Sequence, residues 1–293
     1  MLRVLITGSK GQLGSEIENI ITNHTVNINE SEFFFTDRES LDICNKKKLD
    51  SFICENKINV IINCAAYTSV DKAEEDKTLV NKINNESVKS LAQISQDKNI
   101  KLIHVSTDYV FDGKSNLPYK EEDSTNPQCF YGKSKLDGEK IMININPANS
   151  IIIRTSWVYS SFGNNFVKTM LKLGKVNDKL GVIYDQIGTP TYAKDLAKTI
   201  LEIMEKINNT QVEIYHYSNE GVLSWYDFAK EIMKMANLSC DINPIESKEY
   251  ITPVKRPNYS VLNKSKIKND FEIDIPYWKD GLDDCLRELG EKK

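Results

Sequence analysis

The chain opens MLRVLITGSKGQLG, and this stretch limits the fold more than any other. The apolar run RVLIT (3–7) is followed at once by glycines at 8, 11 and 14, and then by a helical period over about 12–23. A short apolar run stopped by glycine reads as a strand buried on both faces, the kind found in parallel sheets. Glycine allows a tight turn and lets backbone approach a phosphate, while the helix that follows turns free N–H groups toward it. The spacing is G-x-x-G-x-x-G rather than G-x-G-x-x-G, yet its place between first strand and first helix is what a dinucleotide site needs. Gly8, Lys10, Gly11, Gln12, Leu13 and Gly14 form the expected pyrophosphate loop.

The alternation continues downstream. Strand-like runs at 32–37, 60–66, 101–107 and 150–157 are separated by periodic stretches at 46–57, 78–98 and around 128–140. Strands alternating with helices predict an α/β fold, a doubly wound parallel sheet of Rossmann type. Beyond 157 the pattern loosens into helices near 163–174 and 224–237, a strand, turn and helix over 179–207, and a strand at 213–218. The expected organisation is a dinucleotide-binding domain over 1–157, with 179–218 returning to it in part. Residues 158–178 and 219–293 then form a smaller, interleaved C-terminal substrate lobe.

Composition narrows the function. A net charge of −4 with dispersed lysines argues against a nucleic-acid partner. No apolar run approaches a membrane span, and the N-terminal run is too short for a signal peptide, so a cytoplasmic protein without a membrane partner is expected. The six cysteines form no C-x-x-C pair and read as reduced, mostly buried thiols. His24, His104 and His216 are scattered without metal-ligand spacing and read as structural.

Asp37 ends the second strand, 23 residues after Gly14, where a carboxylate accepts from ribose hydroxyls. Arg38 beside it suits a 2′-phosphate instead, which leaves NADH and NADPH both open. Asp42 and Ile43 are placed to edge the adenine, and small Ala65 and Ala66 let a dinucleotide pass close to the backbone. At the reactive end, Ser106 and Thr107 finish the fourth strand, on the sheet edge where open α/β folds keep their chemistry. Tyr131 follows 24 residues after Thr107, with Lys135 one helical turn further on the same face. A second Tyr-x-x-x-Lys match, Tyr226 and Lys230, lies on an amphipathic stretch and reads as a packed tyrosine with an exposed lysine.

The glycine loop, strand-end threonine and Y-x-x-x-K resemble the extended short-chain dehydrogenase/reductase family. Within it, NCAAYTSVDKAE, STDYVFDG, YGKSKLDGE, IIRTSWVYS, GNNFVKTML, YDQIGTPTYAKDLA and RPNYSVL resemble the dTDP-4-dehydrorhamnose reductase branch. The resemblance implies NAD(P)H-dependent reduction of a nucleotide-sugar C4 ketone, dTDP-4-dehydro-L-rhamnose to dTDP-L-rhamnose. It implies Tyr131 as general acid, Lys135 lowering the phenol's pKa and holding the nicotinamide ribose, and Thr107 bonding the carbonyl oxygen. Further cofactor contacts are implied for Cys64, Tyr67, Ser106 and Arg154. Substrate contacts are implied for Thr68, Thr107, Asp108, Tyr109, Trp157, Asn165, Phe166, Gln186 and Arg256.

Dehydratases of the wider family carry T-D-E after the strand; here the segment is TDY, without the second carboxylate, which favours reduction over dehydration. Some relatives hold magnesium between acidic side chains at a dimer interface; Glu16 and Asp195, the latter flanked by Lys194, are too few carboxylates for such a site, so no metal is expected. A homodimer stays open. So do two other readings: a non-catalytic regulatory subunit like the reductase-like β subunit of methionine adenosyltransferase, and another 4-ketosugar nucleotide reductase or epimerase.

Overall fold

The computed structural model describes residues 1–25 and 30–292, so residues 26–29 and 293 of the expected domain spans lie outside the described residues. The first half alternates as expected: β1 (Leu2–Thr7), α1 (Gln12–Thr22), β2 (Ser31–Thr36), α2 (Lys46–Glu55), β3 (Val60–Asn63), α3 (Lys77–Asn81), α4 (Ser87–Lys98), β4 (Lys101–Thr107), α5 (Phe130–Ile145) and β5 (Ser150–Thr155). The second half is more broken. It runs β6 (Val158–Tyr159), α6 (Phe166–Gly174), β7 (Lys179–Ile183), β8 (Ile187–Gly188), β9 (Thr191–Tyr192), α7 (Ala193–Ile203), β10 (Glu213–Tyr217), β11 (Leu223–Ser224), α8 (Trp225–Met235), β12 (Asp241–Ile245), α9 (Ser265–Phe271) and α10 (Trp278–Glu288).

Six strands form one parallel sheet in the order β2-β1-β3-β4-β5-β10. Alternate residues face opposite sides. Val4, Ile6, Ile62 and Ile153 pack under α1, α7 and α9, while Leu5, Ile61, Leu102 and Ile152 pack under α2, α4 and α5. Covering both faces is what lets these strands be apolar at nearly every position. The chain leaves β1 toward β2 on one side and β3 on the other, so a crevice opens between β1 and β3 at their C-terminal ends. The strand near 179–183 does not join this sheet: β7 pairs in parallel with β12. Around them Val167, Phe228, Ile232, Ile242, Trp278 and Leu282 form a separate apolar cluster.

The long periodic stretch at 78–98 is not one regular helix. Residues 82–86 form a π turn between α3 and α4. Buried Asn84 sits in that turn, and its side chain ties down the loop after β3. Oδ1 accepts from the Tyr67 N–H (2.8 Å), and Nδ2 donates to the Tyr67 carbonyl (3.1 Å) and to Ser134 Oγ (3.0 Å). One extra residue in the helix turns the asparagine inward, a use typical of π turns beside functional sites. Pattern reading misses it because the apolar period is barely disturbed.

Of the six cysteines, all unpaired, Cys129, Cys240 and Cys285 are buried and Cys54 is exposed. Among the described residues no helix is long and apolar enough to cross a membrane.

Gly138 of α5 lies directly under the π turn, where an added Cβ would run into the Asn84 carbonyl oxygen. Gly138→Ala gains about 1 kcal/mol of helix propensity, but overpacking at a backbone contact costs about 1–3 kcal/mol or more. The expected net result is a lower urea midpoint at unchanged m-value, measured by equilibrium unfolding.

Candidate active site

The glycine loop closes against the loop after β3. Gly8 has φ +67°, and a Cβ there would stand 2.8 Å from the Ala65 backbone. Gly14 opens the first turn of α1, and its Cβ would meet the Gly8 carbonyl at 2.5 Å. No side chain caps α1 at Gly11, so the first-turn N–H groups stay open toward the crevice. The cradle is made of backbone, and side chains would fill it; a pyrophosphate fits there.

Two clefts meet at Gly11, Cys64 and Ala66. The first, about 410 Å³, is lined by Gly8, Lys10, Asp37, Arg38, Asp42 and Ile43, with Lys82 and Ile83 from the π turn. Asp37 is already engaged. Its Oδ1 accepts the N–H groups of Glu39 and Ser40 (both 2.9 Å), and Oδ2 pairs with Lys10, which with the Ser40 bonds holds the carboxyl well below the usual range. Arg38 is exposed at the edge of this cleft.

The second cleft, about 630 Å³, runs from Gln12, Leu13 and Gly14 past Thr68 and Val70 to Ser106, Thr107, Asp108, Tyr109, Tyr131, Lys135 and Trp157. α5 starts at Phe130, capped by Cys129 Sγ on the Gly132 N–H (3.4 Å), so Tyr131 and Lys135 both face inward from its first two turns. Tyr131 is 8% exposed and Lys135 2%. Burial pushes the Tyr131 phenol above its ordinary value, a hydrogen bond with Thr107 pulls it back in part, and nearby Asp108 pushes further. Burial brings the Lys135 amine down to about 8, and Glu139 opposes that shift. Lys135 Nζ donates to the Val105 carbonyl (2.7 Å) and lies 3.4 Å from His104 Nε2. The expected lowering of the phenol by Lys135 is therefore not what this arrangement gives: desolvation dominates at Tyr131, and the amine is bonded to β4 instead. Thr107 Oγ1 donates to Asp108 Oδ1 (2.9 Å), and burial raises the Asp108 carboxyl to about 7.

Several expected contacts lie elsewhere. Arg154 is buried in an ion pair with Glu139 (2.7 Å) and stacked over Phe111, because a guanidinium so deep needs a carboxylate; it lines neither cleft. Ser106 lines the cleft, but its hydroxyl donates to the same Glu139. The Tyr67 hydroxyl is drawn away to Asp76 (2.7 Å). Asn165 caps α6 and reaches Gln12 Oε1 (2.9 Å), Phe166 packs on Trp225, and Gln186 bonds Ser247 (3.1 Å); none of the three lines the cleft. Arg256 stands at the rim, bonded to Asp71 (2.8 Å) and the Tyr109 hydroxyl (3.3 Å). Trp157 lines the cleft and stacks on Trp225 at 3.5 Å. Tyr226 packs at half exposure while Lys230 is exposed, away from this cleft. Sequence reading missed Lys82 at the first cleft and the contact of His104, read as structural, with Lys135 beneath the second. Only His104 had a usable signal, lying two residues before Ser106 on the strand that ends at the cleft.

The surroundings of Glu16 and Asp195 do not fit a divalent cation. Buried Glu16 accepts from Ser160 (2.6 Å), and burial raises its carboxyl to about 7. Lys194 puts an ammonium 2.5 Å from Glu288 and 3.8 Å from Asp284, supplying the positive charge that an ion would bring. Among the described residues no group of three or more His, Cys, Asp or Glu side chains could hold a metal.

Comparison with known proteins agrees with this architecture. Residues 2–291 match the model of the RmlD substrate binding domain family. The chain is 43% identical to a dTDP-4-dehydrorhamnose reductase of Aggregatibacter actinomycetemcomitans, over 96% of this chain and 97% of that one. The crystal structure of a dTDP-4-dehydrorhamnose reductase from Clostridium acetobutylicum superposes with a TM-score of 0.92 at 40% identity, covering 99% of this chain and 100% of that one. That of the Bacillus anthracis enzyme in complex with NADP gives 0.91 at 36% identity, covering 98% and 100%. With nearly its whole length matched and the doubly wound sheet in common, the chain belongs to the RmlD substrate binding domain family.

Proposed function

We propose that this chain reduces the C4 ketone of dTDP-4-dehydro-L-rhamnose to give dTDP-L-rhamnose, with NADPH preferred over NADH. The observation that carries the reading is the continuous cleft joining the glycine loop to Thr107, Tyr131 and Lys135. When bound, the nicotinamide supplies hydride to the carbonyl carbon. Tyr131 gives its phenolic proton to the oxygen that becomes the new hydroxyl. Burial keeps that proton on the phenol at neutral pH, so the group stands ready as a donor. Lys135, close to half-protonated near pH 8, resupplies the phenolate. Thr107 donates to the carbonyl oxygen as charge develops there. Position 109 offers no base for dehydration: the Tyr109 hydroxyl is held by Arg256, and burial raises it to about 12.

Replacing Tyr131 by Phe removes the donor and keeps the packing. NADPH oxidation dependent on dTDP-4-dehydro-L-rhamnose should fall about 10²–10⁴-fold in kcat, while Tyr226→Phe should stay within about twofold. Turnover in the wild type separates this reading from a regulatory subunit; a Tyr131→Phe enzyme at full rate would remove Tyr131 from the role.

Asp108 sets a pH dependence. Ionised, it takes the Thr107 hydroxyl proton as an acceptor; protonated, it donates to Thr107 Oγ1 and frees the Thr107 O–H for substrate. kcat/KM is therefore expected to be highest below about 7 and to fall as pH rises through it. Asp108→Asn donates at every pH, so the limb should flatten in its profile; an unchanged limb assigns it to another group.

Asp37 is occupied by Lys10 and the turn, while Arg38 is free to meet a 2′-phosphate. Arg38→Ala should raise the KM for NADPH about tenfold, the worth of one charge-assisted bond, and leave that for NADH nearly unchanged. Equal effects on both cofactors would sink this assignment.

A further inference from the structure

Beneath the cleft, a row of four buried polar side chains crosses the sheet from β1 through β3 and β4 to α5. The Thr7 hydroxyl donates to Asn63 Oδ1 (2.6 Å), Asn63 Nδ2 meets His104 Nδ1 (2.9 Å), and His104 Nε2 faces Lys135 Nζ (3.4 Å). None is more than 2% exposed. An amide nitrogen can only donate, so Nδ1 accepts and the ring proton sits on Nε2. That N–H points at Nζ, and only an uncharged amine can receive it.

An ammonium needs the opposite polarity: Nζ donates to Nε2, Nδ1–H donates to Asn63 Oδ1, and Asn63 Nδ2 donates to Thr7 Oγ1. The row can supply that polarity. An asparagine amide can turn end for end, and a hydroxyl can donate or accept. Each charge state of Lys135 thus finds Nζ, both ring nitrogens of His104 and the facing Asn63 atoms paired, whereas a fixed row would leave two donors facing each other without water.

Resting on the reading of Lys135 as the group that reprotonates Tyr131, we propose that Thr7, Asn63 and His104 are positioning residues that reverse hydrogen-bond direction as Lys135 gains or loses its proton. His104 carries one proton in both states, on Nδ1 beside the ammonium and on Nε2 beside the amine, and the row as a whole releases one proton, counted to Lys135. Burial supports this by holding the His104 ring well below its usual range, hence neutral, and Lys135 near 8. The titratable groups around the row are Glu139 on α5, ion-paired with Arg154 of β5, Tyr131 on α5, Asp108 after β4 and Cys64 after β3. Glu139 favours the ammonium.

The test needs no substrate. In the full-length ¹⁵N-labelled protein, with signals assigned by their loss in His104→Gln, the His104 ring shifts are followed from about pH 6 to pH 10, across the lysine's titration. The expected result is an Nδ1–H ring at low pH and an Nε2–H ring at high pH, with a midpoint near 8 and no switch in Lys135→Met. A single tautomer throughout in the wild type, or a switch that persists in Lys135→Met, overturns the proposal whether or not the reductase reading stands. In turnover, His104→Phe removes an acceptor that the ammonium needs more than the amine does. The basic limb of kcat should then move down by about one pH unit, and His104→Gln, whose amide can also turn, should restore it. A limb unmoved in His104→Phe counts against the proposal.

Discussion

The reactive end of this fold depends on keeping one lysine out of water. Desolvating an ammonium costs several kcal/mol unless its protons are taken up. Lys135 meets that demand with a strand carbonyl 2.7 Å away and a neutral histidine, and both partners come from β4. Two glycines let α5 pack tightly on the turn after β4 and on the π turn. A side chain at Gly132 would run into the Tyr109 carbonyl, and one at Gly138 into that of Asn84. The helix face so pressed carries Tyr131, Ser134, Lys135, Gly138 and Glu139, a polar stripe inside a protein core. The weak amphipathic signal of this stretch follows: its inward face is chemical rather than apolar.

Much of the fold could be read because burial on both sides of a parallel sheet leaves a plain mark. RVLIT, VIIN and SIIIRT are apolar runs of strand length, and each is a central strand. The mark fails where short strands lie outside the sheet. KLGVI looks much the same but pairs with β12 in the second cluster, because a short run does not say which partner it will take. At the site, residues whose position follows from a strand end or a helix turn, Thr107, Tyr131 and Lys135, do reach one cleft. Those whose direction depends on a rotamer do not follow from position. Tyr67 and Arg154 stand beside the cofactor crevice in sequence, yet Asp76 and Glu139 draw their side chains away. A buried ion pair outweighs proximity, and its partner lies far along the chain.

The second half of the chain contributes to the cleft mainly by bracing it. Asn165 holds Gln12 at the start of α1, Ser160 holds Glu16 about one helical turn later, and Arg256 holds Asp71 in the loop after β3. All three bonds cross between the sheet and the smaller cluster, and all three grip segments that shape the glycine loop or the cleft rim. Glu16 shows how much charge this takes. It is fully buried beside Asp195 and Glu288, and Lys194 from α7 offsets the acidic crowd by bonding Glu288. An ammonium fixed to a helix needs no free ion to be captured, and it joins α7 to α10 directly.

Trp157 is where the two halves come closest to the chemistry. It follows β5 with φ +48°, a left-handed backbone that costs a bulky residue about 1–2 kcal/mol. Such a cost persists only where the surroundings fix it. Here the indole lies flat on Trp225 and against Gly188, where a Cβ would stand 2.6 Å from the ring. A β5 continued in extended backbone would send this side chain elsewhere and leave the stack open. The left-handed residue instead turns the indole onto the second lobe while its edge still lines the cleft beside Thr155 and Val158. Aromatic stacking and the absent side chain at Gly188 thus hold a strained backbone in place. This part of the cleft wall is set by tertiary packing that no local pattern in TSWVY encodes.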